Sequence, residues 1–544
     1  MAVLVLFALS LVASFAQTVT GTLEGHIKDS TGATVPNVTV SVRNDENGLS
    51  RTTVSNTEGY YQLTFLPVGP YTMTVSSQGF ATLTRAALVE LNSSRTLDFE
   101  MKPATVATEV TVSETVPLIE TSRGEVKNNI ETQVIEDRPL ASRNVLALLE
   151  MLPGFQSSGG YSGINNPTLS SGSYASFNGT GSRSATFQID GVNNDDSSEG
   201  SSRQNVNISS IKEFQVLTNA YPAEFGRAGG AIVLVQTKSG TNNFHGDAFE
   251  FLQNEKLNAN AFYNNVSGRR PDGTMIAPRP PYRRNQFGYT IGGPILQNKL
   301  FFFHSFEQTR LIQYNTFTRF IFRPSDRLQI GDCRLCLNPE EHPNVQADRQ
   351  FLQSILDRFP KAEPNNPNLC ERCFTATLPA SFPDQDYAGK LDYNPTQRDA
   401  FAVRYQYSRQ RRTPQPLIQG ESAFQNNKQQ NLGLTHTHMF TATTWGEFRF
   451  GLGLRTTLVD ISSGNDTPIV RISNPTAFTT TTMGSAGQFP INRYQTDYQF
   501  VYNLSHVRGR HIIRTGIDYR KQHLDDLADN FGRGWWTFAA TGIL

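Results

Sequence analysis

The sequence predicts an all-β-dominated protein: an N-terminal β-sandwich, a mixed α+β segment, and the first part of a transmembrane antiparallel β-barrel. Three observations carry this. Charged residues make up 18% of the 544 residues, while Phe (36) and Tyr (18) far outnumber Trp (3). Few charges beside many aromatic and small polar residues favour strands over helices. Apolar and polar residues alternate with period two towards both ends of the chain, the mark of half-buried strands. No stretch after the first residues reaches the ~18 apolar residues of a membrane helix. A membrane location therefore requires a barrel, the other spanning structure that satisfies every backbone group. The length suits about three to five domains. Lys+Arg and Asp+Glu are both 48, and a net charge of zero argues against non-specific nucleic-acid binding, which needs a basic surface.

Residues 1–16 read as a signal peptide. MAVLVLFALSLVA is an apolar run of the right length, and Ser14-Phe15-Ala16 places small residues at a cleavage site. No Lys or Arg precedes the run, so the true start is expected slightly upstream. Residues 17–103 read as a β-sandwich. Val38, Val40 and Val42 alternate with Thr39, Ser41 and Arg43; Tyr71, Met73 and Val75 alternate with Thr72, Thr74 and Ser76. Turn signals separate these runs at Ser30-Thr31-Gly32, Asn44 to Gly48, Glu58-Gly59 and Pro67 to Pro70. The order G-x-I-x-D, G-A-x-V-P, T-x-x-x-G-x-Y, L-P-x-G-x-Y, G-F between Gly21 and Phe80 resembles the carboxypeptidase regulatory-like domain. That resemblance implies a seven-stranded carbohydrate-binding-like sandwich without catalytic residues.

Residues 104–115 form a linker, and 116–240 a second folded zone. In the linker, Thr108-Glu109-Val110-Thr111-Val112 is a short extended segment rich in β-branched residues. Asn144 to Leu152 reads as a short amphipathic helix stopped by Pro153-Gly154. Then follow FNG, R-x-A-x-x-x-IDGV, IKEFQV, Y-x-A-E-F-G-x-A-x-G-G and V-x-x-x-T-K-S-G. This order resembles the plug of TonB-dependent outer-membrane transporters. With a regulatory-like domain in front, it is similar to their Oar-like subgroup. The resemblance makes Thr108 to Val112 the candidate TonB box, a strand that offers unpaired backbone to the energy-transducing TonB complex. Asp190-Gly191 reads as a plug turn, with Gly supplying positive φ.

Residues 241–544 read as the N-terminal portion of the barrel. Phe287, Tyr289 and Ile291, then Phe401, Val403, Tyr405 and Tyr407, then Phe448, Phe450, Leu452 and Leu454 each alternate with small or polar residues. One apolar and one polar face is the lipid-out, lumen-in pattern of outer-membrane barrels. Connections alternate between tight (297–298, 394–398, 441–444, 508–510) and long (254–284, 311–384, 409–427, 458–492), matching periplasmic and extracellular ends. About nine strands are counted, with Trp535 to Phe538 opening another. Such transporters close at 22 strands, so the chain is expected to be an N-terminal fragment.

Cys333, Cys336, Cys370 and Cys373 form two CxxC pairs in the longest expected extracellular loop. An oxidising exterior favours two disulfides over a zinc site, with the pairing unreadable. His304 and Glu307 match HxxE, but on a strand i and i+3 point to opposite faces. His436 and His438 share a strand face, yet their own strand supplies no acidic or cysteine partner, so no metal site and no cofactor is expected. Lacking any catalytic motif, the chain is expected not to be an enzyme. The resemblance implies a protein of the Gram-negative cell outer membrane, in contact with its lipid, with a periplasmic N-terminal sandwich. It implies TonB-coupled uptake of an unknown bulky ligand, possible classes being carbohydrate or peptide. Two alternatives stand beside it: an Oar-like surface adhesion or assembly protein, and a soluble carbohydrate-binding module.

Overall fold

In the computed structural model, residues 20–104, 110–112, 126–131, 134–135, 143, 148–149, 151–157, 175–325 (except 182, 199 and 223), 345–461, 469–474, 479–483, 490–509, 511–528 and 534–539 are described. The signal segment, Thr108, Glu109, Cys333 and Cys336 lie outside them. Of the helix expected at Asn144 to Leu152, the described residues Leu148, Leu149 and Met151 are in 3₁₀ conformation.

The sandwich contains β1 (Gly21–Asp29), β2 (Thr39–Asn44), β3 (Ser50–Val54), β4 (Tyr60–Leu66), β5 (Gly69–Ser76), β6 (Leu83–Val89), β7 (Ser94–Thr96) and β8 (Phe99–Met101). One sheet runs β4-β1-β7 with β8 also on β1; the other begins β3-β2-β5-β6. The alternation read from the sequence is the burial pattern: Val40, Val42, Tyr71, Met73 and Val75 all point into the core. A ninth short strand, β9 (Val110–Val112), lies parallel to β6, with Leu83 opposite Val110 and Arg85 opposite Val112.

The inner unit adds β10 (Val126–Glu131), β11 (Phe155–Ser157), β12 (Ala175–Phe177), β13 (Ala185–Ile189), β14 (Val192–Asn193), β15 (Asp195–Asp196), β16 (Ser201–Ser202), β17 (Ile211–Asn219) and β18 (Ala231–Thr237). Its main sheet has the order β10-β17-β18-β13-β14. β17 and β18 are buried nearly throughout, and β18 opens with the continuous apolar run Ala231 to Val235.

The large sheet holds nine antiparallel strands: β19 (His245–Asn254), β20 (Tyr282–Leu296), β21 (Leu300–Phe320), β22 (Cys373–Tyr393), β23 (Asp399–Pro414), β24 (Ala423–Thr441), β25 (Thr444–Ile461), β28 (Ile491–Arg508) and β29 (His511–Ala528). Each pairs with its sequence neighbour, except that β25 pairs with β28 across a long connection. That connection contains β26 (Ile469–Asn474) and β27 (Thr479–Met483). The strand count from sequence holds, with one correction. β30 (Trp535–Ala539) is a strand, but it pairs in parallel with β26 in a small separate sheet rather than extending the large one. The strands also reach further than the sequence suggested. β21 and β22 each run 21 residues, about twice what a bilayer needs, so they project past the lipid and shorten the long connections.

The two faces of this sheet differ as the alternation requires. Along β23, Arg404, Gln406, Ser408, Gln410 and Arg412 are buried, whereas Phe401, Val403 and Tyr405 are exposed. HxxE is split in the same way: His304 stacks on Tyr289 outside, while Glu307 is buried and accepts from Gln286 inside.

Candidate functional site

The inner unit sits on the polar face of the large sheet, and the hairpin of β13 and β14 supplies one part of the attachment. β13 and β14 are joined by Asp190-Gly191, with Gln188 opposite Asn193 and Ile189 opposite Val192. Both turn residues have positive φ, 48° and 73°. This is the type I′ geometry that matches strand twist and that Asp-Gly favours. The turn read from sequence is therefore present, but Asp190 does more than turn the chain. Its carboxylate accepts from the Thr237 backbone N–H (2.8 Å) and hydroxyl (2.6 Å). It also pairs with Arg404 Nε at 3.0 Å, with Lys390 Nζ at 3.9 Å. Burial pushes the Asp190 carboxyl up, but Lys390, Arg404 and the Thr237 hydrogen bonds outweigh it and hold the group below the usual carboxylate range.

The segment after the turn repeats this pattern against strands further round. Asp195 faces Arg520 at 3.8 Å, Asp196 pairs with Arg455, and Arg203 pairs with Asp497. Gln499 accepts from the Asn193 N–H at 2.8 Å, and Gln204 donates to Ser408 at 2.9 Å. Desolvation pushes the Asp195 carboxyl up against the opposing pull of Arg520. Two lumen glycines make room for the seat. A Cβ on Gly451 would lie 2.5 Å from Val192, and one on Gly453 would lie 2.0 Å from the Arg203 guanidinium. Above this seat, towards the long connections, Arg143, Arg284, Arg412, Glu307, Asp384 and Asp386 line a polar cleft.

On the opposite, short-turn side the sandwich closes over the same sheet. Trp445, at the start of β25, is 1% exposed and belongs to the sandwich core. Arg51 lies over its ring at 5.7 Å and donates to the Gln397 carbonyl. Thr53 donates to the Ala442 carbonyl and Asn56 to that of Gly509, each at 2.9 Å. Three short turns of the large sheet thus bear on one sandwich. The sandwich also grips the inner unit: Lys212 pairs with Glu46 at 2.6 Å, and the Leu91 N–H donates to Glu213.

The segment expected to offer unpaired backbone needs correcting. Val110, Thr111 and Val112 are strand β9, already paired with β6. β9 is the last strand in its sheet order, so one of its edges still carries no partner strand among the described residues. β6 was not foreseen as its partner because a parallel pairing across an intervening loop leaves no mark in local sequence. From β9 the chain leads into β10, the edge strand of the inner unit's sheet.

Cys370 and Cys373 form a disulfide with each other. His436 and His438 do have an acidic partner, Asp399, which comes from the neighbouring strand. Nothing on β24 itself signals this partner, since the register that sets Asp399 opposite His438 is a tertiary property.

Known proteins resemble the chain in three consecutive stretches. A carboxypeptidase regulatory-like domain model matches residues 22–102 and a TonB-dependent receptor plug domain model residues 121–232. An outer membrane β-barrel domain model matches residues 236–543. The TonB-dependent transporter Oar of Myxococcus xanthus is 27% identical over 270 residues, covering 47% of this chain and 23% of that protein. The outer membrane transporter YddB from Escherichia coli has a TM-score of 0.48 at 13% identity, over 76% of this chain and 50% of its own. The siderophore receptor PirA from Acinetobacter baumannii has a TM-score of 0.41 at 13% identity, over 74% and 48%. The chain spans about half the length of these solved structures.

Proposed function

Starting from a chain that belongs to the TonB-dependent receptors of the outer membrane, we propose that it takes part in energy-coupled uptake of a bulky ligand, with Val110 to Val112 as the handle. The observation that carries this is the placement of β9. It is an edge strand of a sandwich sheet, and the next described strand along the chain, β10, is the edge strand of the plug sheet. A partner strand would add to the open edge of β9 by backbone pairing, which needs no particular side chains. Tension applied there would reach β10 first and peel it from β17. The hairpin around Asp190 lies further along the same sheet, held by ion pairs that reform after displacement.

The ligand enters on the side of the polar cleft. Its lining carries both signs of charge and many hydrogen-bonding groups, which suits a polar ligand such as a saccharide or peptide. The rival reading, a surface adhesion or assembly role without transport, shares the fold but gives β9 no work.

Cross-linking separates them. A full-length Val110→Cys variant should form a disulfide with cysteine-bearing TonB periplasmic domain in intact cells. An additional Thr111→Pro change should abolish it, because proline removes a ladder donor and resists a paired position. Failure of Val110→Cys to cross-link, with the receptor at wild-type surface level, would contradict the handle.

A further inference from the structure

We propose that Asp399, His436 and His438 form a binding site for a divalent transition-metal ion of the zinc class on the outer face of the barrel, beside its short turns. The two histidines alternate on β24 and project outward, as do Phe401 and Val403 on the neighbouring strand. Register sets Asp399 directly opposite His438, with Phe401 opposite His436. One carboxylate oxygen, Oδ1, then meets both rings: His436 Nε2 at 3.1 Å and His438 Nδ1 at 2.7 Å. The three donor atoms all lie within 4.8 Å of one another. Tetrahedral zinc with bonds of about 2.0–2.1 Å sets neighbouring donors roughly 3.4 Å apart, so small side-chain rotations complete the set.

The surroundings hold these donors in place. Asp399 Oδ2 accepts from the Thr396 hydroxyl at 2.8 Å, which leaves Oδ1 turned to the rings. Phe401 stacks on His436 with centroids 4.2 Å apart and planes 2° from parallel. Phe440 meets His438 edge-on at 4.6 Å. Fixed rings and a tethered carboxylate are what supporting groups provide at metal centres. Two imidazoles and one carboxylate suit zinc and its neighbours in the transition series rather than magnesium or calcium, which prefer oxygen alone. The side chains are 31%, 34% and 25% exposed for His436, His438 and Asp399, so an ion has access and a fourth position stays open to solvent. The ion would tie β23 to β24 at the rim.

The test uses the full-length receptor, purified without a histidine tag and stripped with chelator. Titration with Zn²⁺ alone, read by calorimetry, should show one tight equivalent. Co²⁺ alone should give the visible absorption of a tetrahedral nitrogen–oxygen site. His438→Gln and Asp399→Asn should each weaken binding at least 100-fold, and Thr396→Val by about 10–100-fold. His304→Gln, an outward histidine without such partners, should leave it unchanged. Absence of a zinc equivalent in the wild-type protein would overturn the proposal. So would zinc binding that survives His438→Gln in a protein whose melting is unchanged.

Discussion

The plug meets the barrel through charge, whereas the sandwich meets it through an aromatic side chain. Inside, Asp190, Asp195, Asp196 and Arg203 each face an opposite charge on a barrel strand. At the rim, Trp445 enters an apolar core together with Met439, and hydrogen bonds to turn carbonyls surround it. The two designs behave differently under load. A buried ion pair costs desolvation that its attraction roughly repays, so it contributes register more than net stability. A buried indole contributes stability outright, because nothing polar is given up except one N–H. Under the proposed function, the first design would suit a plug that leaves its seat and returns, and the second a domain that stays docked.

The largest effect should come from the rim. Trp445→Ala should cost about 3–5 kcal/mol of sandwich docking, read as faster proteolytic release of residues 20–104 from the full-length protein. An unchanged release rate would mean that the sandwich is held by its hydrogen bonds instead. The plug seat should respond in a way the rim does not. Asp196→Ala alone should cost up to about 3–5 kcal/mol, since it strands the buried Arg455 charge. Asp196→Leu combined with Arg455→Met should recover most of that loss in a thermal melt. A double variant as unstable as the single one would show that the ion pairs stabilise after all.

Smaller effects sharpen the contrast. Removing the Cys370–Cys373 bridge with paired serine substitutions should cost about 2 kcal/mol or less, because it closes a very short loop. Cys333 and Cys336 are expected to be thiol-free as well; mass spectrometry of alkylated, unreduced protein should find no modified cysteine. Acidification should loosen the plug and spare the rim. The folded-state carboxyl of Asp190 titrates below its usual range. Its stabilisation is therefore complete above the ordinary aspartate value of about 3.9 and is lost as pH falls further, towards the folded value. Protection of plug amides from exchange should fall in that window, and Asp190→Asn should remove the dependence.

Much of this architecture was legible in the sequence because alternation is local. Each barrel strand announces its two faces within a few residues, and Asp190-Gly191 announces its turn. Pairing is not local. The cations that meet Asp190 lie on β22 and β23, far along the chain, and only the barrel's register brings Lys390 and Arg404 to it. The same holds for Asp399 beside His436 and His438, for β6 beside β9, and for β30, whose aromatic residues signal a strand without saying which sheet receives it.

Under the proposed function, tension on β9 should unseat a plug held by charge. Asn193→Cys reports on this directly, since Asn193 is 3% exposed at the heart of the seat. In cells with an intact proton gradient, a membrane-impermeant maleimide added outside should label this cysteine. Labelling should stop when the gradient is collapsed, when TonB is absent, or when Val110→Pro is added. Labelling at one rate in all four conditions would contradict the account, because the seat would then open without the handle.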